Sequence, residues 1–262
     1  MAAEMREILY GRNAVREALR AGRRRFYKLV LAEGVRESGV VAEIVDLAHR
    51  RQVPLRRVER RHLDEISPNN QGVAAEVSPY PYVEWKAILT AIEGSQEMPL
   101  LLLLDCLQDP QNLGSLLRTA EIVGVQGVVL PKRRAVGVTP AVVNASAGAV
   151  EHLRVARVTN LVRAMEELKK RDVWVVGLEN VPQARPYHRV DLNLPLALVV
   201  GSEGQGMRRL VRERCDLLIK LPMRGRINSL NAAVAGSIAL YEAWRQRGFS
   251  TSLPKDDLGR AI

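Results

Sequence analysis

The chain has 262 residues, of which 47% are hydrophobic and 26% are charged, and this composition excludes an intrinsically disordered protein. Its formal net charge of +10 at pH 7 is spread over both halves of the sequence and favours a polyanionic partner, although a generally basic protein would show the same balance. Aromatic residues make up only 4%, which argues against binding of single-stranded RNA mainly by base stacking.

The N-terminal part, residues 1–79, is predicted to be a compact α/β domain of mixed strand order. Its predicted strands are 29–31, 53–55 and 73–77, and its predicted helices lie within 6–20, 40–51 and 62–66. Asn13 is the expected cap of the first helix, because its side chain can accept a hydrogen bond from a free backbone N–H group.

A change of composition marks the predicted linker at 80–98. The segment begins rich in Pro and Tyr and then turns polar, which is typical of a connection between domains. A short helix is predicted inside it at 83–92.

From residue 99 to 249 the pattern predicts a second, larger domain, followed by a tail at 250–262. Its predicted strands are 100–104, 127–130, 173–178, 196–200 and 217–221, and its predicted helices are 113–123, 140–149, 160–171, 208–214 and 228–247. Near-continuous apolar strands that alternate with helices predict an α/β fold, with a mostly parallel sheet covered by helices on both faces.

Cysteine usage and hydropathy indicate a cytoplasmic protein. Cys106 and Cys215 are expected to be reduced core thiols, and with the four histidines they give no spacing that predicts a metal site. The N-terminus lacks the apolar core of a signal peptide, and the longest apolar run, 99–104, is too short to span a bilayer.

Three loops that follow predicted strands carry the residues with possible chemistry, because ligands of open α/β sheets bind at the carboxyl ends of strands. The first loop, 105–119, contains Asn112, Gly114 and Arg118. Asn112 and Arg118 are separated by about 600° of helix rotation and lie on different faces if both are helical. If Asn112 precedes the helix, both can border one pocket; otherwise Arg118 could simply be an exposed helix arginine.

The second loop, 201–206, has glycines at 201, 204 and 206, which allow a ligand to approach the backbone closely. The spacing is not that of a dinucleotide-binding loop. Glu203 disfavours a phosphate ligand and favours a neutral or cationic one, although a tight turn without a ligand is the alternative.

The third loop, 221–231, joins an apolar strand to a helix rich in small residues. Arg224 and Arg226 are suited to phosphate contacts. Asn228 and Ser229 could cap the helix or contribute to a site.

In this order the three loops resemble the SpoU (TrmH) branch of the SPOUT RNA methyltransferases, over residues 100–247. The matching residues are Asp109, Pro110, Asn112, Gly114, Arg118 and Thr119, then Gly201, Glu203 and Gly206, then Pro222, Met223, Gly225, Ser229, Leu230 and Asn231. Residues 10–15 and 70–74 are similar to the ribosomal-protein-like RNA-binding domain that precedes many such enzymes, except that Asn70 stands where relatives commonly have His.

The resemblance implies a trefoil-knotted sheet and a site for S-adenosylmethionine between the second and third loops. The cofactor-binding residues that it implies are Gly201, Leu221, Leu230, Leu178, Gly206 and Met223. The catalytic residues that it implies are Arg118, Asn112, Glu203, Ser229 and Asn231. Because arginine is effectively never neutral, Arg118 is expected to stabilise the developing alkoxide rather than to act as a base.

The implied activity is 2′-O-methylation of a ribose, that of a guanosine, in large-subunit (23S) rRNA. Two alternatives keep the chemistry and change the RNA: a tRNA substrate, or an rRNA methylation that confers antibiotic resistance. A third alternative is a non-catalytic rRNA-binding assembly factor. The resemblance also implies a homodimer packed through the methyltransferase domain, for which the small residues Ala232, Ala235, Gly236 and Ala239 could provide either the interface or core packing.

Overall fold

The computed structural model describes residues 5–227 and 229–249. The predicted tail at 250–262 and the possible cap Asn228 lie outside the described residues. Within the described part, no helix is long and apolar enough to cross a membrane.

A four-stranded sheet in the order β1-β4-β2-β3 forms the N-terminal domain. Strands β1 and β2 run antiparallel to β4, and β3 runs parallel to β2, so the prediction of mixed order is confirmed. Its strands are β1 Glu7–Tyr10, β2 Phe26–Ala32, β3 Leu55–Val58 and β4 Val73–Val77, and its helices are α1 Arg12–Ala21, α2 Val40–Arg50 and α3 Arg60–Asp64.

Two local predictions in this domain were wrong. Helix α1 is capped by Gly11, whose φ of 88° lies in a region that favours glycine, and Asn13 lies inside the first turn. The strand predicted at 53–55 begins only at Leu55. Pro54 has no N–H to donate to a neighbouring strand, and it contributes only its carbonyl, which accepts a hydrogen bond from Leu29 N at 2.8 Å.

The larger sheet has seven parallel strands in the order β7-β6-β5-β10-β8-β11-β9, which confirms the predicted fold class. The strands are β5 Leu100–Asp105, β6 Gly127–Pro131, β7 Val155–Val158, β8 Trp174–Leu178, β9 Arg185–Pro186, β10 Leu196–Gly201 and β11 Leu217–Lys220. The helices are α4 Trp85–Glu93, α5 Pro110–Ile122, α6 Pro140–Ala145, α7 Leu161–Lys169, α8 Arg209–Glu213 and α9 Ala232–Gln246. Strand β10 returns to the middle of the sheet, between β5 and β8, whereas the trefoil knot stays a prediction.

Both faces of this sheet are covered, and the alternation along β5 shows why its sequence is continuously apolar. Leu100, Leu102 and Leu104 pack in one cluster with residues of α5 and α9. Leu101 and Leu103 pack in the opposite cluster with residues of α4 and α7. Successive side chains of a strand point to opposite faces, so a strand buried on both sides needs apolar residues at every position.

The segment at 80–98, predicted as a linker, contributes to this core. Ile88, Leu89 and Ile92 of helix α4 are buried against the sheet. Trp85 Nε1 donates a hydrogen bond to Glu167 Oε2 at 2.8 Å, which ties the start of α4 to α7. Helix α4 therefore packs as a part of the larger domain, while the exact domain boundaries stay a prediction.

Helix α9 packs on α5 through its small residues. Ala232, Gly236 and Ala239 are buried, and a Cβ atom added to Gly236 would lie 2.9 Å from Leu116 Cδ1. Thr119 Oγ1 and Ser237 Oγ are hydrogen-bonded at 2.8 Å across the same contact. Of the two interpretations of the small-residue face, the structure therefore supports intramolecular packing.

The two domains meet at a buried ion cluster. Arg24, whose side chain is fully buried, pairs with Glu7 at 2.7 Å and with Glu151 at 2.8 Å. Tyr80 Oη donates a hydrogen bond to the carbonyl of Leu153 at 2.8 Å. Burial raises the pKa of Tyr80 to about 12, so the phenol keeps the proton that it donates.

Candidate functional site

The strand order places the three predicted loops next to one another. Strands β5, β10, β8 and β11 are consecutive neighbours and parallel, so their carboxyl ends form one edge of the sheet. The loops at 105–109 and 201–207 and the segment at 221–231 all leave this edge. Such an edge is where open α/β sheets bind their ligands.

The start of helix α5 holds Asn112 in place. Pro110 occupies the first helical position, and Asp109 caps the helix by accepting a hydrogen bond from Gln111 N at 3.0 Å. The other Asp109 oxygen accepts from Asn112 Nδ2 at 2.7 Å. The helix was predicted to begin at residue 113, but it begins at Pro110, where Asp109 and Pro110 form a typical helix start.

Asn112, Glu203 and Asn231 form one hydrogen-bonded group, which we call the amide–carboxylate cluster. Asn112 Nδ2 donates to Glu203 Oε1, and Asn231 Nδ2 donates to Asn112 Oδ1 at 2.8 Å and to Glu203 Oε1 at 3.2 Å. The cluster joins residues from all three loops, the most distant of which are 119 positions apart in sequence.

Asn231 also caps helix α9, since its Oδ1 accepts from Ala233 N at 2.9 Å and Val234 N at 3.1 Å. The prediction that this helix begins at 228 was therefore wrong. Ser229, which was considered as a cap, is exposed and precedes the helix. One amide thus orients the helix and fixes the carboxylate of Glu203 at the same time.

A cavity of about 270 Å³ lies beside the cluster, and we call it the loop cavity. Its lining includes every residue predicted to bind the cofactor, namely Leu178, Gly201, Gly206, Leu221, Met223 and Leu230, together with Glu203 and Ser229. Leu221, Met223, Ser229 and Leu230 also border a wider hollow of about 500 Å³. The roles assigned to these residues stay predictions, whereas their convergence on one cavity is a structural fact.

Gly201 at the end of β10 and Gly206 in the loop that follows bring backbone to the cavity wall. A Cβ atom on Gly201 would collide with the backbone of Gly206 and Met207, so residue 201 must lack a side chain. Ser202 N and Gly206 N each donate to the other residue's carbonyl at 3.0 Å, and Gly206 has a φ of 67°. The loop is therefore a closed turn that presents main-chain groups and little side-chain bulk.

Sequence reasoning missed the pair that anchors this turn. Asp105 at the end of β5 is fully buried, and its Oδ1 accepts from Arg208 Nε at 2.8 Å. Asp105 Oδ2 accepts from the Arg208 backbone N at 2.8 Å, and the hydrogen bonding to Asp105 raises the pKa of Arg208. The two residues are 103 positions apart, and only the buried position of an acid at a strand end could have suggested a partner.

Glu179 is a second residue that the sequence reasoning missed. It follows β8 directly and lines the loop cavity, with a side chain that is 13% exposed. An acidic residue directly after an apolar strand is the signal that could have identified it.

Arg118 is the predicted catalytic residue that neither lines this cavity nor belongs to the amide–carboxylate cluster beside it. Asn112 is helical, so Arg118 lies on a different face of α5. Of the two arrangements considered from the sequence, this is the one in which the two side chains do not share a helix face. Arg118 is exposed and is not among the residues that line the loop cavity. Within residues 5–227 and 229–249 it forms no hydrogen bond or ion pair.

Family models match both domains of the chain. Residues 99–241 match the SpoU rRNA Methylase family, and residues 8–83 match the domain described as RNA 2′-O ribose methyltransferase substrate binding. YacO of Bacillus subtilis (strain 168), provisionally named a TrmH family tRNA/rRNA methyltransferase, is 47% identical over 246 residues, which cover 94% of this chain and 98% of YacO. A relative of Staphylococcus saprophyticus with the same provisional family name is 42% identical and covers 92% of this chain and 96% of its own length.

Solved structures are similar over both domains. The SpoU methyltransferase AviRb of Streptomyces viridochromogenes, in complex with S-adenosylmethionine, has a TM-score of 0.77 at 25% identity and covers 94% of this chain and 92% of AviRb. An rRNA methyltransferase of Sinorhizobium meliloti bound to S-adenosylmethionine has a TM-score of 0.73 at 25% identity, with 92% and 87% covered. The TrmH/SpoU tRNA modifying enzyme of A. aeolicus has a TM-score of 0.52 at 27% identity and covers 66% of this chain and 89% of its own.

Proposed function

The chain belongs to the SpoU rRNA methylase family and is an RNA methyltransferase that uses S-adenosylmethionine; from this premise we propose that it methylates the ribose 2′-hydroxyl of a guanosine in large-subunit rRNA. The observation that carries the choice of RNA is the additional N-terminal domain. This domain matches a substrate-binding family model and packs tightly on the larger domain through the Arg24 cluster.

Coverage of the structural neighbours supports rRNA over tRNA. The neighbour described as an rRNA methyltransferase covers 92% of this chain, whereas the tRNA modifying enzyme covers only 66%. A further neighbour, described in terms of methylation at position 34 of tRNA, covers 58% of this chain at a TM-score of 0.52. The net charge of +10 favours contacts with phosphates in either case.

The loop cavity fits S-adenosylmethionine in chemistry as well as in place. Leu178, Leu221 and Leu230 offer apolar surface to an adenine ring, and the turn at 201–206 offers main-chain groups. Glu179 and Glu203 place negative charge beside a ligand that carries a sulfonium. When bound, the cofactor supplies an activated methyl group to a nucleophilic oxygen.

The amide–carboxylate cluster would keep the three loops in the geometry that the reaction needs. Asn112 and Asn231 together hold the Glu203 carboxylate, so the turn after β10 cannot move independently of helices α5 and α9. Methyl transfer depends strongly on the alignment of the attacking oxygen with the methyl group, and a rigid cavity preserves that alignment.

Arg118 would stabilise the alkoxide that develops on the ribose oxygen. A guanidinium group is a hydrogen-bond donor without an acceptor, so this side chain is suited to donating hydrogen bonds to a negative oxygen rather than to acting as a base. Its exposed position and the lack of partners among the described residues leave the guanidinium available to a ligand.

A homodimer would explain how Arg118 reaches a cofactor. The exposed faces of α5 and α9 adjoin each other and carry Ile122, Val234, Ile238 and Tyr241, each at least 38% exposed. Exposed apolar residues grouped on one surface are typical of an interface. In a two-fold dimer through this surface, Arg118 of one protomer would meet the loop cavity of the other.

The test of the function is methyl transfer from radiolabelled S-adenosylmethionine to separate transcripts of 23S rRNA, 16S rRNA and tRNA. We expect label in 23S rRNA, at one ribose, detected by resistance of the adjacent phosphodiester to alkali. Arg118→Ala should lower the rate by about 10²- to 10³-fold, as loss of one transition-state donor does, without weakening cofactor binding. Arg163→Ala, which removes an exposed arginine of α7, is the control and should leave the rate unchanged.

Each other outcome removes a specific claim. Label confined to tRNA contradicts the choice of RNA, and label on a base contradicts the choice of ribose. Cofactor binding without transfer to any RNA would support an assembly factor. An unchanged rate for Arg118→Ala contradicts the role of Arg118.

Mixing two inactive variants tests the shared site. Arg118→Ala and Asn231→Ala should each be inactive alone, while their mixture should regain about a quarter of wild-type activity, because half of the dimers then contain one intact site. Sedimentation of an active monomer, or a mixture without activity, would contradict the dimer proposal.

A further inference from the structure

Glu179 is an acidic residue in the wall of the loop cavity. Strand β8 ends at Leu178, and Glu179 follows it at the carboxyl edge of the sheet, in the wall of the loop cavity. Its side chain is 13% exposed, so this carboxylate has lost most of its contact with water. A carboxylate in that position requires hydrogen-bond donors.

The donors that the protein supplies are too few. Glu179 Oε1 accepts one long hydrogen bond, from Arg212 Nη1 at 3.4 Å. Glu179 Oε2 is buried and has no hydrogen-bond partner among the described residues. A buried acceptor without a donor is costly, and the terminal torsion of Glu is soft, so a ligand in the cavity can engage either oxygen after a small rotation.

The turn after β10 is shaped to leave room for this carboxylate. A Cβ atom on Gly206 would lie 2.6 Å from Glu179 Oε1, and the φ of Gly206 is 67°. The glycine at 206 therefore lets the backbone pass directly over the carboxylate. The Glu179 side chain and the turn together form one side of the cavity.

The other charged groups in the cavity wall are already engaged. Glu203 accepts hydrogen bonds from Asn112 and Asn231. Lys220 Nζ donates to the carbonyls of Val181 at 3.1 Å and Pro182 at 3.4 Å. Glu203 is exposed, so its second oxygen can be solvated, whereas Glu179 keeps a buried oxygen without a hydrogen-bond donor among the described residues.

We propose that Glu179 accepts hydrogen bonds from the ribose hydroxyls of S-adenosylmethionine. The inference rests on the proposed use of the loop cavity for this cofactor. A ribose offers two adjacent hydroxyl donors, which match the two oxygens of one carboxylate. Dinucleotide-binding folds also recognise a ribose through an acidic residue at the end of a parallel strand.

Calorimetry of wild type, Glu179→Gln and Glu179→Ala with a series of ligands tests the assignment. The ligands are S-adenosylmethionine, S-adenosylhomocysteine, methylthioadenosine, and the 2′-deoxy and 3′-deoxy forms of S-adenosylhomocysteine. Glu179→Gln should weaken S-adenosylhomocysteine and methylthioadenosine alike, by about tenfold, because a charge-assisted hydrogen bond is lost. For at least one deoxy ligand, Glu179→Gln should not weaken binding, because the hydroxyl that contacts Glu179 is missing from that ligand.

Glu213→Gln is the matched control, since Glu213 is an exposed glutamate on nearby helix α8, and its affinities should equal those of wild type. Equal losses for the deoxy and the hydroxylated ligands would show a merely structural role and overturn the proposal. A loss for S-adenosylhomocysteine but not for methylthioadenosine would move the contact to the amino-acid part of the cofactor and also overturn it.

The readout separates this inference from the RNA proposal. A wild-type protein that binds the cofactor but methylates no rRNA contradicts the proposed function and leaves the role of Glu179 to be judged on binding alone. Thermal unfolding without ligand shows whether each variant is folded. If Glu179→Ala is unfolded, the comparison between Glu179→Gln and the deoxy ligands still decides the assignment.

Discussion

At the scale of single residues, Asn70 shows how one buried amide organises a loop. This residue is fully buried, and its Nδ2 donates to Asp64 Oδ1 and to the Ser67 carbonyl, both at 2.7 Å. Its Oδ1 accepts from Gly72 N at 2.6 Å. Asn70 therefore organises the loop before β4 from inside. Asn70, the position at which the sequence departs from the pattern of the resemblance, therefore serves loop packing and is not exposed to a ligand.

His152 provides a pH-dependent contact between the domains. Its Nε2 lies 2.9 Å from Glu17 Oε2 of helix α1, and this hydrogen bond raises the pKa of His152 above the ordinary value of 6.5. Burial raises the pKa of Glu17, but hydrogen bonds from His152 and Arg16 outweigh it and hold this pKa below its ordinary value. Burial also raises the pKa of neighbouring Glu121.

The raised pKa of His152 determines how the stability of the protein changes with pH. A group with a raised folded-state pKa stabilises the fold fully below its unfolded-state pKa and ceases to do so as the pH rises through the folded-state value. We expect His152→Gln to lower the free energy of unfolding most below pH 6.5 and to have no effect at alkaline pH. Urea unfolding of both proteins across pH 5.5 to 9 measures this, and a constant difference would contradict an ionised pair.

At the scale of helices and strands, Gly114 explains why one motif needs glycine. It lies inside α5, where the helix touches the end of α6: an added Cβ atom would collide with Ala145 and would lie 2.9 Å from Ser146 N. Backbone cannot move aside as the tip of a side chain can. The glycine thus serves helix packing, and it neither opens the helix nor cradles a ligand.

Gly114→Ala should therefore destabilise the protein, by about 1 to 3 kcal/mol from overpacking, although alanine is the better helix former by about 1 kcal/mol. Ser115→Ala, on the exposed face of the same turn, is the control and should be neutral or slightly stabilising. Thermal and urea unfolding measure both variants. A more stable Gly114→Ala protein would show that α5 can move away from α6.

The pattern of apolar residues predicted the long elements of the larger sheet but missed its short strands. Strand β7 has four residues and includes Arg157, and β9 has only two, so neither forms a recognisable apolar run. Helix α4 was assigned to a linker because Pro and polar residues flank it, although its own Ile88, Leu89 and Ile92 carried the signal of a buried face. Short elements depend on neighbours that the local sequence does not reveal.

The candidate site likewise contains residues that the sequence could identify and contacts that it could not. Residues at the ends of apolar strands, such as Gly201 and Leu221, lie together in the wall of the loop cavity, because the carboxyl ends of parallel strands meet at one edge of the sheet. The contacts Asp105–Arg208 and Asn112–Asn231 were not foreseen, since each joins residues more than a hundred positions apart. The exposed position of Arg118 is visible only once the start of α5 is known.

At the scale of the whole molecule, the buried ion cluster determines how firmly the domains are joined. Arg24 is fully buried between Glu7 and Glu151, and its guanidinium also lies 5.3 Å from the ring centroid of Tyr80. Burial raises the pKa of Glu151 despite the opposing effect of Arg24. Removal of the arginine alone would leave a buried carboxylate without its counter-ion.

Arg24→Met should cost about 3 to 5 kcal/mol of stability, as breaking a buried pair does, and the double variant Arg24→Met with Glu151→Leu should cost less than the sum of the two single changes. Arg50→Met is the control, because Arg50 pairs with Asp46 on the surface, and it should cost less than about 1 kcal/mol. Additive effects of the two buried changes would contradict a direct coupling across the domain contact.

The path of the chain through the larger sheet also determines which parts of the protein can fold before synthesis is complete. Asn112 is synthesised 119 residues before the partner that it meets in the amide–carboxylate cluster. The N-terminal domain can fold early, because its four strands lie within the first third of the chain. The loop cavity cannot form at that stage, since strand β10, strand β11 and helix α9, which contribute to its wall, are synthesised late. A chain that is cut short before Asn231 therefore keeps all four strands of the N-terminal domain and lacks the residue that joins the three loops.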